Sequence, residues 1–225
     1  MIAVLLAGGS GSRMQSDTPK QFLPLADGRS ILEHSVEAFN SHEAVDEICI
    51  VMNPDWIDAT NALVAKNGWS KVKHVVPGGA ERYLSSLAAI ECFLDRDDDD
   101  FFLLLHDAAR PFVSPDIITR VDEACRSHQA VAVGIPSTDT IWQVNPFNAT
   151  IQRIPERAIM WRAQTPQAFH FPLLRDAYQR ALQDPQFHAT DDCGVVARYA
   201  PEVPIHIVMG DEQNIKITIP QDLKQ

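Results

Sequence analysis

The sequence predicts an α/β fold, a mostly parallel sheet wrapped by helices, and three observations carry that prediction. Short, nearly continuous apolar runs recur along the chain. Amphipathic stretches with helix start and stop signals lie between them. Loops rich in glycine, or opening on a carboxylate, follow several of the runs. In a sheet of this kind ligands gather beyond the carboxyl ends of the strands, so the chemistry is expected at those loops.

The strand runs are 2–7 (IAVLLA), 47–52 (EICIVM), 72–76 (VKHVV), 101–106 (FFLLLH), 130–135 (AVAVGI) and 203–210 (VPIHIVMG). Most lack polar alternation, as strands covered on both faces do. Between them, "SILEHSVEAFNS" opens with Ser30 and Glu33 in capping-box spacing. "PDWIDATNALVAKNG" begins on Pro54 and ends at Gly68, and "SPDIITRVDEACRSH" offers Ser114 as cap with Pro115 at the first helical position. From Ser137 to about Met160 the alternation lapses into short polar-alternating strands with a turn near 146–148. This reads as an extension, 137–160, from a single domain spanning 1–225. Either a partner subunit covers its Trp142, Ile151 and Ile154, or it is an edge hairpin folded back on its own domain. The acidic run 95–100 (DRDDDD) reads as a solvated loop and is assigned no metal.

Composition bounds the function. With 225 residues, 45% of them hydrophobic, the chain can bury one sizeable core. A formal net charge of -11 excludes broad affinity for nucleic acid or for an anionic membrane, so any phosphate site must be local. No apolar stretch approaches the ~20 residues that span a bilayer, and a soluble cytoplasmic protein is expected. Cys49, Cys92, Cys125 and Cys193 form no CxxC pair and read as buried free thiols.

The first loop, "LLAGGSGSRMQSDTPKQF", lets backbone approach a ligand at Gly8, Gly9 and Gly11 and presents successive N–H groups to an anion. It is neither a dinucleotide fingerprint, since Met14 stands where the third glycine would be, nor a Walker loop, since no GK[ST] closes it. Arg13 and Lys20 flank it, a pair of cations suited to a triphosphate; the same glycines would also suit a plain strand-to-helix turn. "VVPGGAERYLSS" places Gly78, Gly79, Arg82 and Ser85 after another strand as a second such loop. "LLLHDAARPF" ends an apolar strand on Asp107, which reads either as a magnesium ligand or as the cap of the next turn. "ATDDCG" puts Thr190, Asp191 and Asp192 at a helix start, and Lys216 sits in an apolar stretch read as a strand, where a charge is unexpected unless it faces a site. No HExxH or Ser-His-Asp arrangement appears, and His106 reads as a packing or hydrogen-bonding residue.

Taken in order, "LAGGSGSRM…PKQF", "ILEHSV", "GGAERYLSSL", "HDAARPF", "DT", "R…W…AQTPQAF", "TDD" and "NIKIT…DL" resemble the cytidylyltransferases that act on sugar-alcohol phosphates, above all the 2-C-methyl-D-erythritol 4-phosphate cytidylyltransferase family. The resemblance covers almost the whole chain. It implies a Rossmann-like fold with a protruding β-arm that joins two subunits in a homodimer. It further implies CTP as substrate, with Ala7, Gly8, Gly9, Ser10 and Gly11 around its phosphates and Gly79, Ala80 and Ser85 reading the base. Arg13 and Lys20 would stabilise the pentacovalent phosphorus. Asp107 would meet Mg²⁺ and the acceptor with Arg110 beside it, while Thr140 and Arg157 of the arm, with Thr190 and Lys216, would complete the acceptor side. The Ile-Pro before Arg157 and "DWIDAT" are similar to ribitol 5-phosphate cytidylyltransferases, which keeps ribitol 5-phosphate as the alternative acceptor. Ala80 departs from the family, many members of which carry an acid there. A purine nucleotidyltransferase would share the opening loop without "HDAARP", and a binding-only module would lose Lys20 or Asp107.

Overall fold

The computed structural model describes residues 1–9 and 18–224, so Ser10, Gly11 and Arg13 lie outside the described residues. Among the described residues, β1 (Ile2–Ala7), β2 (Glu47–Met52), β3 (Val72–Pro77), β4 (Phe102–Asp107), β5 (Ala130–Pro136), β8 (Trp161–His170) and β9 (His206–Met209) form a seven-stranded sheet. Its order is β3-β2-β1-β4-β8-β5-β9. All neighbours run parallel except β8, which is antiparallel to both β4 and β5.

The strand periodicity of two decides which helices cover which face. Ala3 and Leu5 pack with α1 (Ile31–Asn40) and α4 (Pro115–Cys125) through Leu32, Val36, Phe39, Ile117 and Val121. Ile2 and Val4 point the other way, toward α3 (Arg82–Cys92), α5 (Phe171–Ala181) and α6 (Asp192–Tyr199). Because both faces are covered, β1 reads as a continuous apolar run. A further helix, α2 (Ile57–Asn67), joins the first face through Leu63 and Val64. The connections therefore change face between the β1–β2–β3 side and β4, and β1 sits between β2 and β4 at the switch point, where a crevice opens beyond the strand ends. Gly8 follows β1 there, and Asp107 ends β4.

The caps read from the sequence are present. Ser30 Oγ accepts from the Glu33 N–H at 3.2 Å while the Glu33 carboxylate accepts from the Ser30 N–H at 2.8 Å. Ser114 caps α4, and Gly68 closes α2 at φ +65°, a left-handed conformation that an L side chain resists. Residues 54–56 form a 3₁₀ turn ahead of α2 rather than its first turn. The acidic run is exposed, with Asp99 and Asp100 paired to Arg175 and His170. All four cysteines are free, but only Cys49 is buried. No helix among the described residues is long and apolar enough to cross a membrane.

Residues 137–160 contain a separate two-stranded sheet, β6 (Gln143–Asn145) with β7 (Thr150–Arg153), outside the main sheet. Phe147 at its tip is 96% exposed, and Trp142 and Ile154 are more than half exposed. Two expectations need correction. The last strand run is paired only over His206–Met209, and Lys216 lies on no strand. Asn214 and Ile217 bury themselves individually, Asn214 through bonds from its Nδ2 to Gln164 and Thr165 and Ile217 through its N–H to the Ala109 carbonyl. Buried residues spaced along an irregular segment imitate a strand pattern.

Candidate active site

A cavity of about 260 Å³ lies at the switch point, lined on one side by Leu6, Gly8 and Gly9 and on another by Gly79, Ala80, Glu81, Arg82 and Ser85. The two glycine loops touch. A Cβ on Gly8 would stand 2.9 Å from Ser85 Oγ; one on Gly78 would stand 2.8 Å from the same oxygen and 3.3 Å from the Gly8 Cα. Only glycine permits this approach, which puts Ser85, buried on the first turn of α3, between the loops. Gln21 fastens the first loop from behind, donating from Nε2 to the Ala7 carbonyl at 2.8 Å and the Gly9 carbonyl at 3.3 Å. The neighbouring Lys20 is thereby held at the cavity wall, where its Nζ donates to the Ile217 carbonyl at 3.1 Å.

The opposite wall carries Asp107, Lys216, Ala109 and Thr218. Asp107 Oδ2 accepts from Lys216 Nζ at 2.7 Å, and Oδ1 accepts from Arg82 Nε at 3.2 Å. Arg110 Nε stands 4.0 Å from Oδ2. Burial alone would raise the pKa of this carboxyl; the charges of Arg82, Lys216 and Arg110 outweigh it and hold the group well below the usual carboxylate range. Asp107 is therefore an anion at any physiological pH. Among the described residues, the charged side chains lining the cavity are Lys20, Arg82 and Lys216 against Glu81 and Asp107, one positive charge in excess in a chain of formal charge -11. The cavity is thus the candidate for the local anion site expected from the composition.

His106, next to Asp107, is fully buried and bonded at both nitrogens, to the Arg110 carbonyl and to Thr165 Oγ1, each at 3.0 Å. A carbonyl can only accept, so Nε2 carries the proton, and the Thr165 hydroxyl donates to Nδ1 while accepting from the Asp107 N–H at 3.1 Å. Burial lowers the pKa of the ring to about 4. It is a neutral brace for the Asp107 backbone, as the sequence reading had it.

Of the residues singled out in the sequence, Gly8, Gly9, Lys20, Gly79, Ala80, Ser85, Asp107 and Lys216 come together on this cavity. Ala7 is buried behind it, contributing its carbonyl to Gln21. Arg110 is tied away from it, to the Asn214 and Ala163 carbonyls. Thr190 is exposed ahead of α6, and Thr140 and Arg157 are exposed around the extension, Arg157 donating to the Thr138 carbonyl at 3.3 Å. None of these five residues lines the cavity in one copy of the chain. In the sequence Gln21 carries no signal, Asp192 is placed only at a helix start, and Arg82 has no role. Arg82 had a signal, a cation one helical turn before Ser85 on a loop expected to meet an anion.

A bound magnesium ion is compatible with this donor set. Magnesium is commonly held by one or two carboxylates plus substrate phosphates, and Asp107 presents one carboxylate on the wall of a cationic cavity. Among the described residues no group of three or more His, Cys, Asp or Glu gathers elsewhere as a metal cage.

Comparison with known proteins agrees with the geometry. The family model for 2-C-methyl-D-erythritol 4-phosphate cytidylyltransferase (IspD) matches residues 1–225. The enzyme of that name from Thermobifida fusca is 49% identical over 224 residues, 98% of this chain and 89% of that one. The bifunctional ribulose 5-phosphate reductase/CDP-ribitol pyrophosphorylase Bcs1 of Haemophilus influenzae is 40% identical over 99% of this chain, which spans 46% of that protein. The crystal structure of 4-diphosphocytidyl-2C-methyl-D-erythritol synthase from Anaerococcus prevotii superposes with a TM-score of 0.83 at 27% identity, covering 99% of this chain and 92% of that one. With the full-length family match joined to a cavity built from two glycine loops, a lysine and a charge-locked aspartate, the chain belongs to the 2-C-methyl-D-erythritol 4-phosphate cytidylyltransferase family, CTP-dependent nucleotidyltransferases of the non-mevalonate isoprenoid pathway.

Proposed function

We propose that this cavity transfers CMP from CTP to 2-C-methyl-D-erythritol 4-phosphate, with its residues in the following roles. The loop from Ala7 through Gly8, Gly9, Ser10 and Gly11 receives the triphosphate on backbone N–H groups, with Arg13 and Lys20 neutralising the α-phosphate as it is attacked. Gly79 and Ala80 read the cytosine through backbone groups and Ser85 through its hydroxyl. Asp107 and Lys216 face the acceptor, with Arg110 and Thr190 beside them. The observation that carries the reading is the meeting of Lys20, Asp107 and Lys216 on the cavity walled by both glycine loops.

An oxygen of the acceptor phosphate bonds to the α-phosphorus in line with the bond to the β-phosphate, which breaks and releases pyrophosphate with its electron pair. A phosphate monoester is already anionic at neutral pH, so no general base is required. The neutral, doubly bonded His106 agrees with that economy. Catalysis rests on alignment and on fixed positive charge. Asp107, with the CTP phosphates, would hold Mg²⁺, which would supply further charge neutralisation at the triphosphate.

The extension completes the site from a second copy. Its Trp142, Phe147, Ile154 and Ile159 are too exposed for a two-stranded hairpin to stand alone, and a homodimer covers them while bringing Thr140 and Arg157 to the partner's acceptor. Residues 1–225 then act as a single nucleotidyltransferase domain with 137–160 as its arm. A cytoplasmic location belongs to the same reading, since that is where nucleoside triphosphates are held.

Two acceptors are in question, because one relative at 40% identity makes CDP-ribitol. The higher identity to the Thermobifida fusca enzyme favours methylerythritol phosphate. Pyrophosphate release from CTP and Mg²⁺ is to be compared for methylerythritol 4-phosphate and ribitol 5-phosphate. A higher kcat/KM for the former is expected; preference for ribitol 5-phosphate would reassign the acceptor.

A further inference from the structure

The carboxylate of Asp192 has no exposure to solvent, yet the established chemistry gives it no task. It accepts from the Tyr178 hydroxyl at 2.6 Å and from Arg82 Nη1 at 2.6 Å. Tyr178 is likewise buried, in the middle of α5. Arg82 then reaches the cavity, where its Nε donates to Asp107 Oδ1. A line of hydrogen bonds thus runs from the core helix α5 through the start of α6 and α3 to the rim of β4.

Burying a carboxylate is unfavourable unless it is paired, and apolar residues of equal volume would hold α5 against α6 as well or better. A guanidinium beside a free carboxylate settles into a bidentate fork that occupies both oxygens. Here Nη1 is drawn back to Asp192, Nη2 is buried without a partner among the described residues, and only Nε touches Asp107. Asp107 consequently keeps Oδ2 for Lys216 and for the ligand side of the cavity.

We propose that Asp192, braced by Tyr178, is a positioning residue that holds Arg82 in this single-bonded pose and so keeps Asp107 available to the reaction. The inference rests on the role given to Asp107 above. Its counterpart in chemistry is simple: without the Asp192 charge, Arg82 turns its fork onto Asp107 and competes with substrate.

The test is a kinetic cycle on the full chain with CTP, Mg²⁺ and methylerythritol 4-phosphate, using Asp192→Asn, Arg82→Lys and the double variant, with melting temperatures in parallel. Asp192→Asn is expected to lower kcat at least tenfold with the KM for CTP changed less than threefold. Because lysine has no fork, the same substitution in the Arg82→Lys background is expected to lower kcat less than threefold further. Tyr178→Phe, which removes one hydroxyl from the core, is expected to lower kcat about threefold. The proposal is overturned by a folded Asp192→Asn enzyme with native kcat, by an equal loss in both backgrounds, or, should Asp192→Asn fail to fold, by native kcat in Tyr178→Phe. A native chain that releases no pyrophosphate overturns the site assignment and the positioning role together, whereas an active native chain beside an equally active Asp192→Asn overturns the positioning role alone.

Discussion

The Lys216 ammonium donates to the Asp107 carboxylate across 2.7 Å, joining residues 109 positions apart at the wall of one cavity. The lysine side chain is 38% exposed, so the pair contributes little to stability, about 1 kcal/mol or less. Its importance is to the site. Lys216→Met, which keeps the length and removes the charge, is expected to leave the melting temperature within a few degrees and to lower kcat/KM for the acceptor at least tenfold. Unchanged steady-state kinetics would remove Lys216 from the acceptor side.

Lys20 is expected to matter most in the transition state, when charge grows at the attacked phosphorus. Lys20→Ala should lower kcat by two orders of magnitude or more and weaken CTP binding, measured by calorimetry, far less. An equal loss in both would make Lys20 a ground-state binding residue.

The contact between the glycine loops predicts intolerance to a methyl group. In Gly78→Ala the new Cβ meets Ser85 Oγ at 2.8 Å, Val51 Cγ1 at 3.1 Å and the Gly8 Cα at 3.3 Å, so Ser85 or the loop must shift. A stability loss of about 1–3 kcal/mol by urea titration is expected, together with weaker CTP binding. Gly9→Ala is the comparison, since a Cβ there meets nothing within 4 Å among the described residues.

Arg157 does not line the cavity of its own chain, and the role proposed for it requires a partner. Arg157→Ala should raise the acceptor KM while CTP affinity stays within about twofold. Parallel weakening of both substrates would mean that the arm is structural.

The sequence showed more of the fold's frame than of its centre. β1 and β2 were legible to the residue because both are apolar on each face, and the Ser30 and Ser114 caps announced α1 and α4. β8 was not legible as a strand. "WRAQTPQAFH" carries Gln164, Thr165 and Gln167 inward, polar residues buried because each bonds across the sheet's end to Asn214, His106 or Asp191. Buried polar side chains of that kind erase the apolar pattern on which strand assignment depends. The same reason hid Gln21 and the side-chain partners of Asp192, which the sequence pattern does not join.

His106 gives the stability a defined pH dependence. Its ring has an ordinary pKa of 6.5 and is lowered to about 4 in the fold by burial, so between those values the unfolded chain binds a proton that the native chain refuses. Stability therefore rises with pH through this window and is lost on acidification, by up to about 3 kcal/mol from this group. Urea unfolding at pH 7 and pH 5 should show the loss, and His106→Gln, which cannot titrate, should show less of it. An equal slope in both proteins would assign the acid sensitivity elsewhere.

The central claim is that one cavity both binds CTP and breaks it. The most direct measurement takes one preparation of the chain and records CTP binding by calorimetry alongside pyrophosphate release with and without methylerythritol 4-phosphate. The account predicts saturable CTP binding and release that depends on the acceptor. CTP bound tightly with no release in the presence of acceptor and Mg²⁺ would contradict it.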